Sequence, residues 1–155
     1  MKYVYVLVSD ESDYYFEQAL MSITSLKMQM PAGFVVLLID DITEKTLSGK
    51  RRDILELVDE LKVVEIESKF NKKARSRWLK TTMREHIQGD FLYIDCDTVI
   101  AEDLSDIAKL DIELGGVPDS HVAFDKYPQH DFILMVIRQI GFSYNPLPEF
   151  YFNAD

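Results

Sequence analysis

The stretch Phe91-Leu92-Tyr93-Ile94-Asp95-Cys96-Asp97 is a short apolar run that ends in two carboxylates separated by one residue. Its aromatic and branched side chains, and its length, suit a buried strand. If the extended conformation persists past Ile94, its two-residue period points Asp95 and Asp97 the same way. Two oxygen ligands converging at a strand end can hold Mg²⁺ or Mn²⁺ and leave coordination positions open for phosphate oxygens. The competing explanation is structural, because acids after a buried strand often cap the next turn through side-chain hydrogen bonds.

Upstream, similar apolar runs recur at Tyr3–Val8, Phe34–Ile39 and Val63–Ile66. Helical spacings separate them: Phe16, Leu20, Ile23 and Leu26 in the first, Ile54, Val58 and Leu61 in the second, Leu79, Met83 and Ile87 in the third. Strand and helix therefore alternate through residue 94. The pattern predicts an α/β fold, a Rossmann-like and mainly parallel sheet with helices on both faces and ligands beyond the carboxyl ends of its strands. Downstream the pattern loosens. It predicts a short helix over Ser105–Leu110, a turn at Gly115–Gly116, a helix around Phe132–Ile140 and a strand within Glu149–Asn153.

The third helix carries the chain's charge asymmetry. The formal net charge is −10, yet seven of the 17 Lys and Arg residues lie between Lys69 and Arg84 with no acid among them. A net negative surface argues against general nucleic-acid binding, whereas a focused positive site suits a small anionic ligand. Arg77, Lys80 and Arg84 share one face by their spacing of three and four, apart from the Leu79, Met83 and Ile87 face. A basic face followed directly by a metal-type acid pair is what a diphosphate with a divalent cation requires. A plain solvated helix face is the alternative. Trp78 could stack on a base, but a single Trp in a helix is more often core, and that placement is expected here.

The 155 residues, 47% of them hydrophobic, fit one domain, 1–155, with a sizeable core. One Cys excludes an internal disulfide framework and a Cys-rich zinc site. The run from Tyr3 to Val8 breaks at Ser9, Asp10 and Glu11, too soon for a signal-peptide core or a transmembrane segment, so a cytoplasmic location is expected, with peripheral membrane contact through further sequence left open. The chain stops at Asp155, just after the last apolar run, and the natural protein is expected to continue. After the first strand, Ser9 and Asp10 precede Asp13, Tyr14 and Tyr15, which open the first helix. A loop there can hydrogen-bond a ribose and stack an aromatic on a base, although Asp13 could equally be a helix cap.

Taken in order, these pieces resemble the glycosyltransferases of family 8, the glycogenin-like and lipopolysaccharide galactosyltransferase-like enzymes. The matching pieces are Ser9-Asp10 with Asp13-Tyr14-Tyr15, Ala19-Leu20 with Ser25-Leu26, Arg77-Trp78-Leu79-Lys80, Phe91 through Thr98, Val117-Pro118-Asp119, and Tyr151-Phe152-Asn153-Ala154. The resemblance implies a GT-A fold that binds a UDP-sugar with Mn²⁺, or Mg²⁺, and transfers the hexose to a glycan or other hydroxyl acceptor with retention of configuration. It implies that Ser9 and Asp10 belong to the donor site, that Tyr15 stacks on uracil, and that Arg77 and Lys80 contact the donor. It further implies that Asp95 and Asp97 bind the metal, that the Cys96 backbone touches the ribose, and that Asp119 and Asn153 contact the donor sugar.

Two departures stand out: Ala154 is followed by Asp155 where a Gly is typical, and the family's later His-containing motif has no counterpart in His121 or His130. Two alternatives stay open. One is a phosphatase of the haloacid dehalogenase type, whose nucleophilic Asp is followed two residues on by a second Asp. Against it stand Thr98 in place of a Gly and the position of the pair on a fourth strand. The other is an inactive, truncated domain that binds a nucleotide or a partner.

Overall fold

The structure is a computed structural model that describes residues 1–67, 69–111, 115–116, 118–141 and 150–152. Its contacts divide the chain into two compact units, Met1–Leu110 and Asp111–Asp155. The first unit holds β1 (Lys2–Leu7), α1 (Tyr15–Gln29), β2 (Phe34–Asp40), α2 (Asp41–Thr46), a 3-10 segment (Gly49–Glu56), β3 (Glu60–Val64), α3 (Lys72–His86) and β4 (Phe91–Tyr93). The four strands form one sheet in the order β3-β2-β1-β4, and every pairing is parallel.

The sequence dictates this sheet through its two-sided burial. Tyr3 through Val8 and Val35 through Ile39 are all buried, as strands covered on both faces require. Alternate residues then sort by face. Tyr3, Tyr5, Leu7, Val35, Leu37 and Ile39 pack against Phe16, Ala19, Ile23 and Leu26 of α1, with Ile54 beside them. Val6, Val8 and Leu38 pack against Leu79 of α3, and Val4 and Val36 against Ile87 at its end. Leu79 is fully buried, so Leu79→Ala would cost roughly 2–5 kcal/mol. Asn71 starts α3 by accepting a 2.9 Å hydrogen bond from the Ala74 N–H. Gly89, at φ +78°, makes the turn into β4 in a backbone conformation that other residues rarely adopt.

One helix predicted from spacing is absent. Ile54, Val58 and Leu61 do converge on the α1-side core, but from three different local structures. Ile54 comes from the 3-10 segment, Val58 from the irregular link after it, and Leu61 from β3, which starts at Glu60 rather than Val63. Tertiary hydrogen bonds decide the matter: Asp59 donates its N–H to the Val35 carbonyl at 2.9 Å and accepts the Val35 N–H on its carboxylate at 2.8 Å. That exchange pins the chain to the edge of β2 as a strand.

In the second unit, β5 (Pro118–Ala123) pairs antiparallel with β6 (Phe150–Phe152), and a 3-10 turn (Phe124–Lys126) leads to α4 (His130–Gln139). The rings of Phe124 and His130 meet edge to face, 4.9 Å between centroids. The predicted helix and terminal strand are therefore present. The helix predicted over Ser105–Leu110 is a single 3-10 turn, Ile107–Lys109, at the end of the first unit.

Candidate functional site

Strand order marks a candidate site. The chain lays β2 and β3 on one side of β1 and then returns β4 to the other side, so the order reverses between β1 and β4. In open α/β sheets the crevice beyond the carboxyl ends at such a reversal is where ligands bind. Lys2, Tyr3 and Val4 pair with Phe91, Leu92 and Tyr93. The Ile94 N–H then donates to the Val4 carbonyl at 2.9 Å. The loop after β1 carries Ser9 and Asp10, and the segment after β4 carries Asp95, Cys96 and Asp97.

Strand conformation does not persist through the acid pair as its period-two alignment would need. β4 ends at Tyr93, and residues 95–98 form a turn in which the Asp95 carbonyl accepts both the Thr98 hydroxyl, at 2.8 Å, and the Thr98 N–H, at 3.3 Å. The backbone closes this turn, so the Asp95 carboxylate is not consumed as a cap. It accepts from Lys80 Nζ at 2.9 Å and from the Tyr93 hydroxyl, both on Oδ1. Burial, then that hydrogen bond, pushes the Tyr93 hydroxyl far above its ordinary value. Asp97 is exposed and accepts no hydrogen bond from another described residue. Cys96 turns its thiol inward to the Val6 carbonyl, 3.2 Å away, and burial pushes that thiol up to about 12, with the Asp95 carboxylate adding to the shift. The Cys96 side chain is thus a neutral tether to β1.

Two helices hold this segment. From α1, Ser22 and Thr98 hydroxyls meet at 3.1 Å, and Ser25 Oγ accepts the Ile100 N–H at 2.9 Å. From α3, Lys80 reaches Asp95. Arg77 lies on the exposed side of the helix. Arg84 serves the turn into β4, donating to the Gly89 carbonyl at 2.5 Å and lying over the Phe91 ring. Trp78 is not core: it is 51% exposed and stacks on Phe70 with ring centroids 6.3 Å apart. The sheet-facing stripe of α3 has no room for it, because Arg75, Leu79 and Met83 occupy that stripe at four-residue steps.

The loop after β1 is denser. The buried Ser9 donates its N–H to Thr43 Oγ1 at 3.0 Å and its hydroxyl to Asp13 Oδ1 at 2.8 Å, and it accepts from Arg51 Nη2 at 2.8 Å. Lys72 Nζ sits 2.7 Å from Asp10 Oδ2 and 2.6 Å from Asp13 Oδ2. Hydrogen bonds from Lys72 and Ser12 hold the Asp10 carboxyl well below the usual carboxylate range. For Asp13, burial alone would raise the value, but hydrogen bonds from Lys72, the Asp10 N–H, the Ser9 hydroxyl and the Tyr15 N–H outweigh it and leave it lowered. Tyr15 opens α1 and is half exposed. Asp13 supports that opening through the Tyr15 N–H at 3.0 Å.

A fifth acid at this edge was not singled out by sequence reasoning. Asp40, the last residue of β2, is fully buried, accepts the Thr43 N–H at 2.7 Å as the cap of α2, and forms an ion pair with the buried Arg75. A signal existed, since Arg75 stands four residues before Leu79 and so shares its inward stripe. Asp119 falls on β5 by its backbone, and Asn153 lies outside the described residues. The surface depression lined by Asp131, Leu134, Met135, Arg138 and Gln139 belongs to α4 and shares no residue with this constellation.

Asp95 and Asp97 could supply only part of a divalent cation's ligand set. Asp95 keeps Oδ2, and Asp97 keeps both carboxylate oxygens, clear of described protein donors. Among the described residues no group of three or more His, Cys, Asp or Glu converges for a metal. Most of the roughly six oxygens a hard cation needs would therefore come from a ligand and water.

No protein-family model matches the sequence, and no curated protein matches it. Solved structures do match the fold. An active-site mutant of LgtC is similar over 99% of this chain and 55% of its own, at 16% identity and a TM-score of 0.57. Galactosyltransferase LgtC in complex with donor and acceptor sugar analogs is similar over the same shares, at 15% identity and a TM-score of 0.56. The chain thus spans about half the length of these structures. The fold is α/β of the GT-A glycosyltransferase type, a parallel sheet with helices on both faces. Among the described residues no helix is long and apolar enough to cross a membrane.

Proposed function

We propose that this chain is the donor-binding part of a metal-dependent glycosyltransferase that takes a UDP-sugar and passes the hexose, with retention, to a hydroxyl acceptor such as a glycan. The observation that carries the proposal is the acid pair at the strand-order reversal, where Asp95 is held by Lys80 and Tyr93 and Asp97 is left open. The fold shared with glycosyltransferases supports it.

In this reading Asp95 and Asp97 would hold Mn²⁺ or Mg²⁺, which would supply positive charge to offset that of the diphosphate. Lys80, already beside Asp95, adds a fixed positive charge where the phosphates sit. Ser9, Asp10 and Tyr15 receive the nucleoside, Tyr15 offering an exposed ring for the base. Cys96 presents backbone to the ribose because its side chain is tied to β1. Arg77 adds a further donor contact in this reading. The reaction is expected in the cytoplasm, on the anionic small-molecule donor rather than on nucleic acid.

The test is calorimetric titration with a panel of nucleoside diphosphates and UDP-sugars, with Mn²⁺ and with chelator. Tight binding confined to uridine nucleotides and dependent on Mn²⁺ supports the proposal. Metal-independent binding, or no preference among bases, contradicts it.

A further inference from the structure

Among the seven basic residues of the Lys69–Arg84 run, Lys72 makes a contact that donor chemistry alone does not explain. It stands in the first turn of α3, yet its ammonium reaches across to the β1–α1 loop and touches two carboxylates at once, Asp10 and Asp13. Those same two carboxylates accept the amides that give the loop its shape. Asp13 accepts the Asp10 N–H at 3.1 Å and the Tyr15 N–H at 3.0 Å, and Asp10 accepts the Ser12 N–H at 2.8 Å. Residues 8–14 contain no strand or helix, so these side-chain acceptors replace regular backbone pairing.

We infer that Lys72 is a positioning residue, a latch from α3 that holds the Asp10–Asp13 loop in the one arrangement that receives the nucleoside. The inference rests on the proposed role of this loop in nucleotide binding. Without the ammonium, two carboxylates share a small space as like charges, and Asp13 is largely shielded from water. The loop then relaxes by separating them, and the amides they hold let go. An isolated surface ion pair is worth little, but one cation shared by two acids that each hold backbone amides is a network, where removal of the hub is felt by every member. A preformed loop also spares the ordering cost that a nucleotide would otherwise meet on binding. Lys72 itself touches no nucleotide in this account.

The experiment compares wild type, Lys72→Met and Lys72→Arg by two readouts. Amide hydrogen exchange without nucleotide follows Asp10, Ser12 and Tyr15 against Val36 and Leu37 in the sheet core. Calorimetry follows UDP binding with Mn²⁺. Lys72→Met is expected to speed exchange at the three loop amides about tenfold or more, leave the sheet amides unchanged, and weaken UDP binding about tenfold. Lys72→Arg is expected to recover most of both, because it keeps the charge. Unchanged loop exchange in Lys72→Met overturns the latch, as does accelerated exchange throughout the unit, which would make Lys72 a general stabiliser. Loosened loop amides with unaltered UDP affinity overturn the positioning role alone. Failure of wild type to bind UDP overturns the nucleotide reading and the role built on it, and the exchange data then separate that failure from failure of the latch.

Discussion

The acids after β1 and the acids after β4 occupy the same edge of one sheet, yet the protein treats them in opposite ways. Asp10 and Asp13 are closed: one lysine bridges them, and their other oxygens hold loop amides and hydroxyls. Asp95 and Asp97 are left open, with one oxygen of Asp95 taken by Lys80 and Tyr93 and Asp97 facing solvent. Charge in the first pair is spent on shaping a loop. In the second, only Asp95 Oδ1 is engaged, while Asp95 Oδ2 and the Asp97 carboxylate meet no described protein donor. Asp40 is the extreme of the closed kind, buried with a guanidinium and a helix N–H.

The largest effect expected from breaking this contrast falls on Asp40. Arg75→Met leaves its carboxylate buried without a counter-charge and should cost about 3–5 kcal/mol in denaturant unfolding. A loss near zero would mean that Asp40 is not the closed acid described here. A smaller effect should separate the two pairs by pH. Asp10 and Asp13 have lowered values in the folded chain, so their stabilisation is present above the unfolded aspartate value of about 4 and is lost as pH falls through the folded values. The Lys72 value is raised, first by Asp10 and then by Asp13, so its part is present below about pH 10 and lost as pH rises beyond. Normalised for intrinsic exchange, protection of the Ser12 and Tyr15 amides should be flat from about pH 5 to 9 and fall below about pH 4. Loss of protection between pH 5 and 7 would contradict the closed state. The smallest effect belongs to the open pair: Asp97→Asn should change unfolding stability by less than about 0.5 kcal/mol, since the side chain is exposed. A larger loss would show that Asp97 already serves the fold.

Much of this architecture could be read in the residues. Continuous apolar runs fixed β1 and β2 as strands covered on both faces, and three- and four-residue spacing placed α1 and α3 correctly because each helix has one apolar stripe to bury. Each failure has its own physical cause. Ile54, Val58 and Leu61 mimic a helix because residues on different elements can meet one core, and only the Asp59–Val35 exchange reveals the strand. Period-two logic for Asp95 and Asp97 failed because the Thr98 hydroxyl closes a turn immediately after Ile94. Trp78 was assigned to the core on residue type, but Arg75 and Leu79 already filled the buried stripe. β5 escaped notice because its partner, Phe150–Phe152, lies far along the chain. The approach of Lys80 to the acid pair was legible from its helix face. The Lys72 bridge was not, because spacing along one helix says nothing about which loop lies across from it.

The central claim, that the open pair awaits a cation together with a diphosphate, is tested most directly by measuring Mn²⁺ affinity with and without UDP, from the free-ion paramagnetic resonance signal. Two carboxylates should bind Mn²⁺ weakly alone and more tightly once UDP supplies oxygens, and by linkage Mn²⁺ should raise UDP affinity by the same factor. Asp97→Asn should abolish that coupling while the protein stays folded. Equal Mn²⁺ affinity with and without UDP in the folded wild type, unchanged by the substitution, would contradict the account.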